Sequence, residues 1–202
     1  MAKLFYRYST MNAGKSIDIL RCNHNYIENG KRTMCFTSGK DDRYGVGKIT
    51  SRIGISIDAT PVYDDTDIFD IVDKDIKDNN KLEISCIFVD EVQFLTKSHI
   101  FQLLDIVDEF NIPVMAYGLR SNYMLQPFES SKYLMALSDQ IEEIKTICFE
   151  CKTKKAIINT KITDGKIVTD GEEIIIGGND SYKPLCRKCY KKLLKEQKWK
   201  II

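Results

Sequence analysis

The segment Ser9-Thr10-Met11-Asn12-Ala13-Gly14-Lys15-Ser16 constrains this chain more than any other. It lies between a short strand candidate, Leu4-Phe5-Tyr6, and a helical pattern. In that pattern Ile17, Ile19, Leu20, Asn23, His24 and Ile27 recur at near-helical spacing before the stop at Asn29-Gly30. The segment fits the phosphate-loop pattern G-x-x-x-x-G-K-[ST] in all but its first position, where Ser9 stands for glycine. Such a loop needs backbone N–H groups at a helix start that wrap phosphate oxygens, a glycine that allows close approach, and a lysine that neutralises charge. Residues Ser9 to Ser16 supply these in order, and the Ser16 hydroxyl is expected to face Mg²⁺.

Further strand and helix patterns alternate after it. Thr33 to Thr37, Ile84 to Val89 and Ile112 to Tyr117 read as strands, and the sets Ile68, Ile71, Val72, Ile76 and Ile100, Leu103, Leu104, Val107 read as helices. Alternation of this kind predicts an α/β fold with a mostly parallel sheet and right-handed crossovers. Asp90 follows the buried run Ile84–Val89, at the strand end where a carboxylate can hold Mg²⁺ through water beside a phosphate loop. Glu91, one residue on, is a candidate general base for a hydroxyl that attacks the γ-phosphate, and equally a solvated loop carboxylate. Ser38 to Ser56, rich in glycine and basic residues, reads as an irregular, mobile loop.

The texture changes after Ile147, so residues 1–147 and 148–202 are expected to form separate modules. Cys148-Phe149-Glu150-Cys151 and Cys186-Arg187-Lys188-Cys189 are two knuckles whose four thiolates suit a closed tetrahedral zinc site. A site filled by Cys148, Cys151, Cys186 and Cys189 has no open position, which makes the zinc structural. Cys22, Cys35 and Cys86 fall in strand or helix patterns and read as core residues; His24 and His99 are given no role. Seven cysteines without an apolar signal core at the N-terminus favour metal or reduced thiols over disulfides, and a cytoplasmic setting. Lys+Arg 30 against Asp+Glu 29 gives a formal charge of +1, which offers no global field for nucleic acid. The hydrophobic fraction of 43% excludes a disordered chain, and no apolar run reaches the length of a membrane helix.

A phosphate loop at the N-terminus, Asp90-Glu91-Val92-Gln93-Phe94 and two C-terminal knuckles form a specific combination. With Lys40-Asp41-Asp42-Arg43-Tyr44, Tyr117-Gly118-Leu119-Arg120, Pro127-Phe128 and Ile176-Gly177-Gly178-Asn179-Asp180-Ser181-Tyr182, the chain resembles the zinc-containing type II thymidine kinases from about residue 3 to residue 190. The resemblance implies a RecA-like phosphate-loop kinase domain over 1–147. It implies a zinc module over 148–202, with a thymine-covering "lasso" loop between the knuckles and a short C-terminal helix.

It further implies transfer of the γ-phosphoryl group of ATP, with Mg²⁺, to the 5′-hydroxyl of thymidine, with Glu91 as base and Arg43 assisting. ATP and Mg²⁺ would be held by Ser9 to Ser16, Asp41, Asp90 and Gln93. The thymine wall would comprise Met11, Phe94, Leu119, Tyr123 and Phe128, with Ile175, Gly178 and Tyr182 from the lasso. A homotetramer and feedback inhibition by thymidine triphosphate belong to the same expectation.

Four positions depart from the family pattern: Ser9 and Val92 replace glycine or a small residue, and Tyr123 replaces phenylalanine. Ile158 stands where a hydroxyl residue near the thymine methyl is expected. A zinc-containing nucleic-acid-binding ATPase is the competing reading, with Lys152, Lys154, Lys155, Arg187 and Lys188 as its basic patch. The near-neutral charge and the lack of an aromatic stacking platform weigh against it.

Overall fold

The computed structural model describes residues 1–43, 45–79, 83–171 and 182–199, with side chains to 197. In chain order, β1 (Leu4–Ser9), α1 (Lys15–Glu28), β2 (Arg32–Ser38), β3 (Lys48–Thr50), β4 (Ser56–Asp58), β5 (Thr60–Val62) and α2 (Ile68–Asp78) come first. Then follow β6 (Ile84–Asp90), a 3-10 turn at Val92–Phe94, α3 (Lys97–Phe110), β7 (Val114–Leu119), α4 (Glu129–Leu137) and β8 (Gln140–Glu143). The chain continues with β9 (Ile158–Thr163), β10 (Lys166–Ile167), β11 (Tyr182–Leu185) and α5 (Arg187–Trp199).

Six strands form one sheet in the order β5-β2-β6-β7-β1-β8, and every neighbouring pair is parallel. A parallel sheet with helices on both faces buries both sides of its central strands, and β6 shows the result. Ile87 and Val89 of β6 join the larger core with α2, α3 and α4, while Cys86 and Phe88 face α1 and β3 on the other side. Burial pushes the Cys35 and Cys86 thiols up to about 12, as expected of plain core residues.

Two polar devices fix the helices. Arg7 Nη1 donates to Asp18 Oδ2 and to the Tyr117 hydroxyl, each at 2.8 Å, and Tyr117 donates to the same Asp18 oxygen at 2.9 Å. This triangle joins the first turn of α1 to β1 and β7. At α3 the Thr96 hydroxyl accepts from His99 N–H, while His99 Nδ1 accepts from Thr96 N–H, a capping box closed by histidine. With Nδ1 accepting, Nε2 carries the proton and donates to the Thr66 carbonyl at 3.0 Å. Burial holds the His99 pKa below its ordinary value. His99, which the sequence left without a role, is a structural cap.

The sequence pattern and the structure differ in several elements. The expected irregular loop Ser38–Ser56 contains β3 and the first residue of β4, which pair as an antiparallel hairpin with Ile49 buried against α1. One inward residue per short strand gives too little pattern to read. The short strand β5 carries Pro61 and is tolerated because it lies at the sheet edge. The opposite edge, β8, has the exposed residues Gln140, Ile141 and Glu142 and is recruited by pairing with β1.

Beyond Ile147, β9, β10 and β11 form an antiparallel three-stranded sheet against α5. Its core contains Cys148, Ile158, Ile167, Leu185, Cys186 and Tyr190. β9, β10 and β11 provide the regular structure between the knuckles, where the sequence offers turn signals and short β-prone runs. No helix among the described residues is long and apolar enough to cross a membrane.

Candidate active site and metal centre

The phosphate loop connects the C-terminal end of β1 to α1. Asn12 at φ 64° and Gly14 at φ 87° give the backbone the curvature of an anion-binding nest, and Gly14 occupies the N-cap position without a side-chain cap. The first N–H groups of α1 are thus left for a ligand. Lys15 lies beneath them, almost fully buried, with Nζ 3.2 Å from the Ser9 hydroxyl. Burial pulls its pKa below the ordinary lysine range, and the Glu91 and Asp90 carboxylates pull it back up. Ser9 in turn donates to the Thr10 carbonyl at 2.7 Å, so this serine braces the lysine while lying under the loop. Neither Ser9 nor Thr10 lines the cleft; Met11, Asn12, Ala13, Gly14, Lys15 and Ser16 do.

Ser16 Oγ donates to Asp90 Oδ2 at 3.1 Å. Asp90 is buried at the end of β6, and burial together with the adjacent Glu91 pushes its carboxyl up to about 7. The Lys15 charge and the Ser16 hydroxyl act the other way on Asp90, and hydroxyl and carboxylate together are hard oxygen donors of the kind that suit Mg²⁺.

Glu91 has the left-handed backbone φ 52°, ψ 38°, a conformation that costs a non-glycine residue about 1–3 kcal/mol. It aims the carboxylate into the cleft, where Arg43 Nη2 donates to Oε1 at 3.0 Å and Gln93 Nε2 donates to Oε2. Arg43 is also held by Asp41, whose Oδ1 accepts from its Nε at 2.7 Å. The Asp41 hydrogen bonds and the Glu91 charge raise the Arg43 pKa further.

Gln93, which also lines the cleft, ties Glu91 to the end of β7: its Oε1 accepts from Leu119 N–H at 2.9 Å, and Leu119 pairs with Ser9 in the sheet. A Cβ on Gly118 would fall 2.6 Å from Gln93 Oε1 and 2.7 Å from Val92 Cγ2. Valine at 92 therefore fits because residue 118 has no side chain. Gly118→Ala should lower stability by about 1–3 kcal/mol through overpacking, read as a shifted denaturant midpoint at unchanged m-value.

The cleft, of about 390 Å³, continues from the phosphate loop to Phe94, Leu119, Tyr123, Phe128 and Tyr182. Phe94 meets Phe128 edge-on at 6.2 Å between centroids, and Tyr123 meets Tyr182 at 6.3 Å. The Tyr123 hydroxyl, the addition at that departure, donates to the Asp170 carbonyl at 3.2 Å. Ile175 and Gly178 lie outside the described residues, as does Tyr44.

Ile158 is absent from the cleft wall; its side chain packs in the core of the C-terminal module, and the next residue, Asn159, faces the cleft. Asn159 is a residue that the sequence reading missed. It is 3% exposed, its Oδ1 accepts from Met11 N–H at 2.8 Å, and its Nδ2 donates to the Ser121 carbonyl at 3.2 Å. Arg52, after β3, was also missed; it lines the cleft close enough to oppose the charge on Lys15. A single asparagine or arginine inside a β-rich stretch carries no motif by which to single it out.

The Sγ atoms of Cys148, Cys151, Cys186 and Cys189 all lie within 4.8 Å of one another, with Cys151 and Cys186 at 4.0 Å. Zinc–thiolate bonds of about 2.3 Å place tetrahedral sulfurs about 3.8 Å apart, so the donor set and spacing fit a closed structural zinc site. Of the basic residues near it, Lys155 is paired with Glu143.

Fold and cleft together define a phosphate-loop nucleotide-binding protein with a four-cysteine metal module. A solved ATPase domain shares the fold, with a TM-score of 0.52 at 14% identity over 82% of this chain and 79% of that one. A family model described as thymidine kinase matches residues 2–190. The thymidine kinase of Listeria monocytogenes serotype 4b is 53% identical over 94% of this chain and 97% of that protein. The thymidine kinases of Lactiplantibacillus plantarum and Haemophilus influenzae are 51% and 48% identical, over 94% and 95% of this chain and 96% and 97% of theirs. The chain belongs to the thymidine kinase family.

Proposed function

We propose that the cleft transfers the γ-phosphoryl group of ATP to the 5′-hydroxyl of thymidine, giving thymidine monophosphate and ADP, a salvage reaction in the cytoplasm. The observation that carries this reading is the continuity of one cleft, with a phosphate loop at one end, an aromatic enclosure at the other, and Glu91 lining it. Phosphoryl transfer is governed by positioning and electrostatic stabilisation, and each requirement has a candidate here. Asn12 to Ser16 cradle the phosphates with backbone N–H groups, Lys15 neutralises them, and Ser16 and Asp90 are the residues that would hold Mg²⁺. When bound, Mg²⁺ supplies charge neutralisation on the phosphate oxygens.

Glu91 accepts the proton of the 5′-hydroxyl as the hydroxyl oxygen bonds to the γ-phosphorus and the bond from that phosphorus to the β–γ bridging oxygen breaks, releasing ADP, while Arg43 steadies the carboxylate. Asp41 orients Arg43, and Gln93 keeps Glu91 in register with Leu119. Met11, Phe94, Leu119, Tyr123, Phe128 and Tyr182 enclose the base, and backbone groups around Ile175 and Gly178 read its edge.

Residues 1–147 serve as the catalytic unit. Residues 148–202 carry structural zinc and the covering loop. The family resemblance supports a homotetramer inhibited by thymidine triphosphate.

A nucleoside panel with labelled ATP tests the assignment. Thymidine should be phosphorylated well ahead of deoxycytidine and the purine deoxynucleosides, and omission of Mg²⁺ should abolish turnover. Comparable rates across the panel, or none with thymidine, would overturn it.

A further inference from the structure

Asn159 belongs to the metal module by chain position and to the cleft by contact. Its strand is held from the module side: Ile158 packs among Cys148, Cys186 and Leu185, and Ile157 N–H donates to the Leu185 carbonyl at 2.9 Å. On the cleft side its amide makes two hydrogen bonds to backbone on two different segments. One is to Met11 N–H in the phosphate loop at 2.8 Å, and the other to the Ser121 carbonyl at 3.2 Å, two residues beyond Leu119. A side-chain amide has one acceptor and one donor end, and here each end meets its complement in a buried setting.

We propose that Asn159 is a positioning residue that keeps the phosphate loop in register with the nucleoside wall, and that the metal module influences phosphoryl transfer through it. The proposal rests on the kinase reading above. Met11 N–H, fixed by Asn159, sets the loop's orientation and leaves the N–H groups beyond it for phosphate. The Ser121 contact fixes the segment between Leu119 and Tyr123. The phosphate loop and the segment after Leu119 are thus joined by one side chain, and a misplacement of about 1 Å at reacting atoms lowers a rate by about 100-fold.

The test uses the zinc-loaded protein and its Asn159→Ala and Asn159→Asp variants. Zinc content, steady-state kinetics for both substrates, and hydrogen exchange of the peptide spanning residues 9–14 are measured in each. Asn159→Ala should keep its zinc and lose about 10- to 100-fold in kcat, with smaller changes in KM, and exchange at 9–14 should accelerate. Asn159→Asp keeps the acceptor for Met11 and loses the donor for Ser121. Exchange at 9–14 should therefore stay at the wild-type rate while kcat still falls.

A kcat within about twofold of wild type in both variants, or equal exchange in all three proteins, would overturn the proposal. If Asn159→Ala fails to retain zinc, the aspartate variant decides, since it preserves side-chain size. Should the unaltered protein not phosphorylate thymidine, the functional reading falls while the exchange comparison still decides the Met11 contact.

Discussion

Replacing Glu91 with glutamine should cut kcat by two or more orders of magnitude while the affinities for ATP and thymidine stay within a few-fold of wild type. Glutamine preserves the shape and can still accept from Arg43, but it cannot take up the proton of an attacking hydroxyl, and loss of a general base is worth about 10²–10⁴. The site makes the experiment clean in one respect. Glu91 is held by side chains, Arg43 on one oxygen and Gln93 on the other, and its backbone accepts the left-handed conformation as part of the turn into Val92–Phe94. A glutamine placed there inherits the same backbone. Equilibrium binding of ADP and of thymidine, measured beside turnover, separates the outcomes. A variant that retains most of its kcat would show that Glu91 only orients Arg43.

The second large effect concerns the metal. The purified protein should carry about one Zn²⁺ per chain, and changing both Cys148 and Cys151 to serine should abolish zinc binding, dissolve the C-terminal module and eliminate activity. The reason for so broad a loss is the composition of that module's core. Cys148 and Cys186 are themselves among its buried residues, together with Ile158, Ile167, Leu185 and Tyr190, and Cys151 and Cys189 pack against them, so all four metal ligands take part in the core. A core this small gains little from apolar burial alone, and the metal supplies the remainder. Metal analysis and thermal melting of the double variant would check this. Stoichiometric zinc in that variant would place the ion elsewhere.

Much of the site was legible because phosphate loops and cysteine knuckles work through fixed local spacing. Gly14, Lys15 and Ser16 must follow one another, and two residues must separate the sulfurs of a knuckle, so the chemistry is written in consecutive letters. The parallel sheet was legible for a related reason: β6 is buried on both faces and reads as a continuous apolar run.

The rest depended on contacts between distant segments. Asn159 meets Met11 across 148 positions, and Gln93 meets Leu119 across 26. Which face of β9 turns to the cleft is decided by how the module docks, so nothing local distinguishes Asn159 from Ile158, the position to which the family pattern points. The contacts of Gln93 were likewise out of reach: proximity to Asp90 in sequence says nothing of the gap left by Gly118 on the neighbouring strand β7. Edge strands β5 and β8 escaped because an edge needs little apolar pattern to pair.

The uncapped start of α1 has a thermodynamic corollary. A helix whose leading N–H groups find no side-chain acceptor is an incomplete element, and an oxyanion that docks on them completes it. Because only the folded chain presents those groups in an array, such a ligand stabilises by mass action, contributing about 2.7 kcal/mol at a hundredfold excess over its Kd. On the proposed function, the melting temperature of this protein should rise with the concentration of added nucleotide.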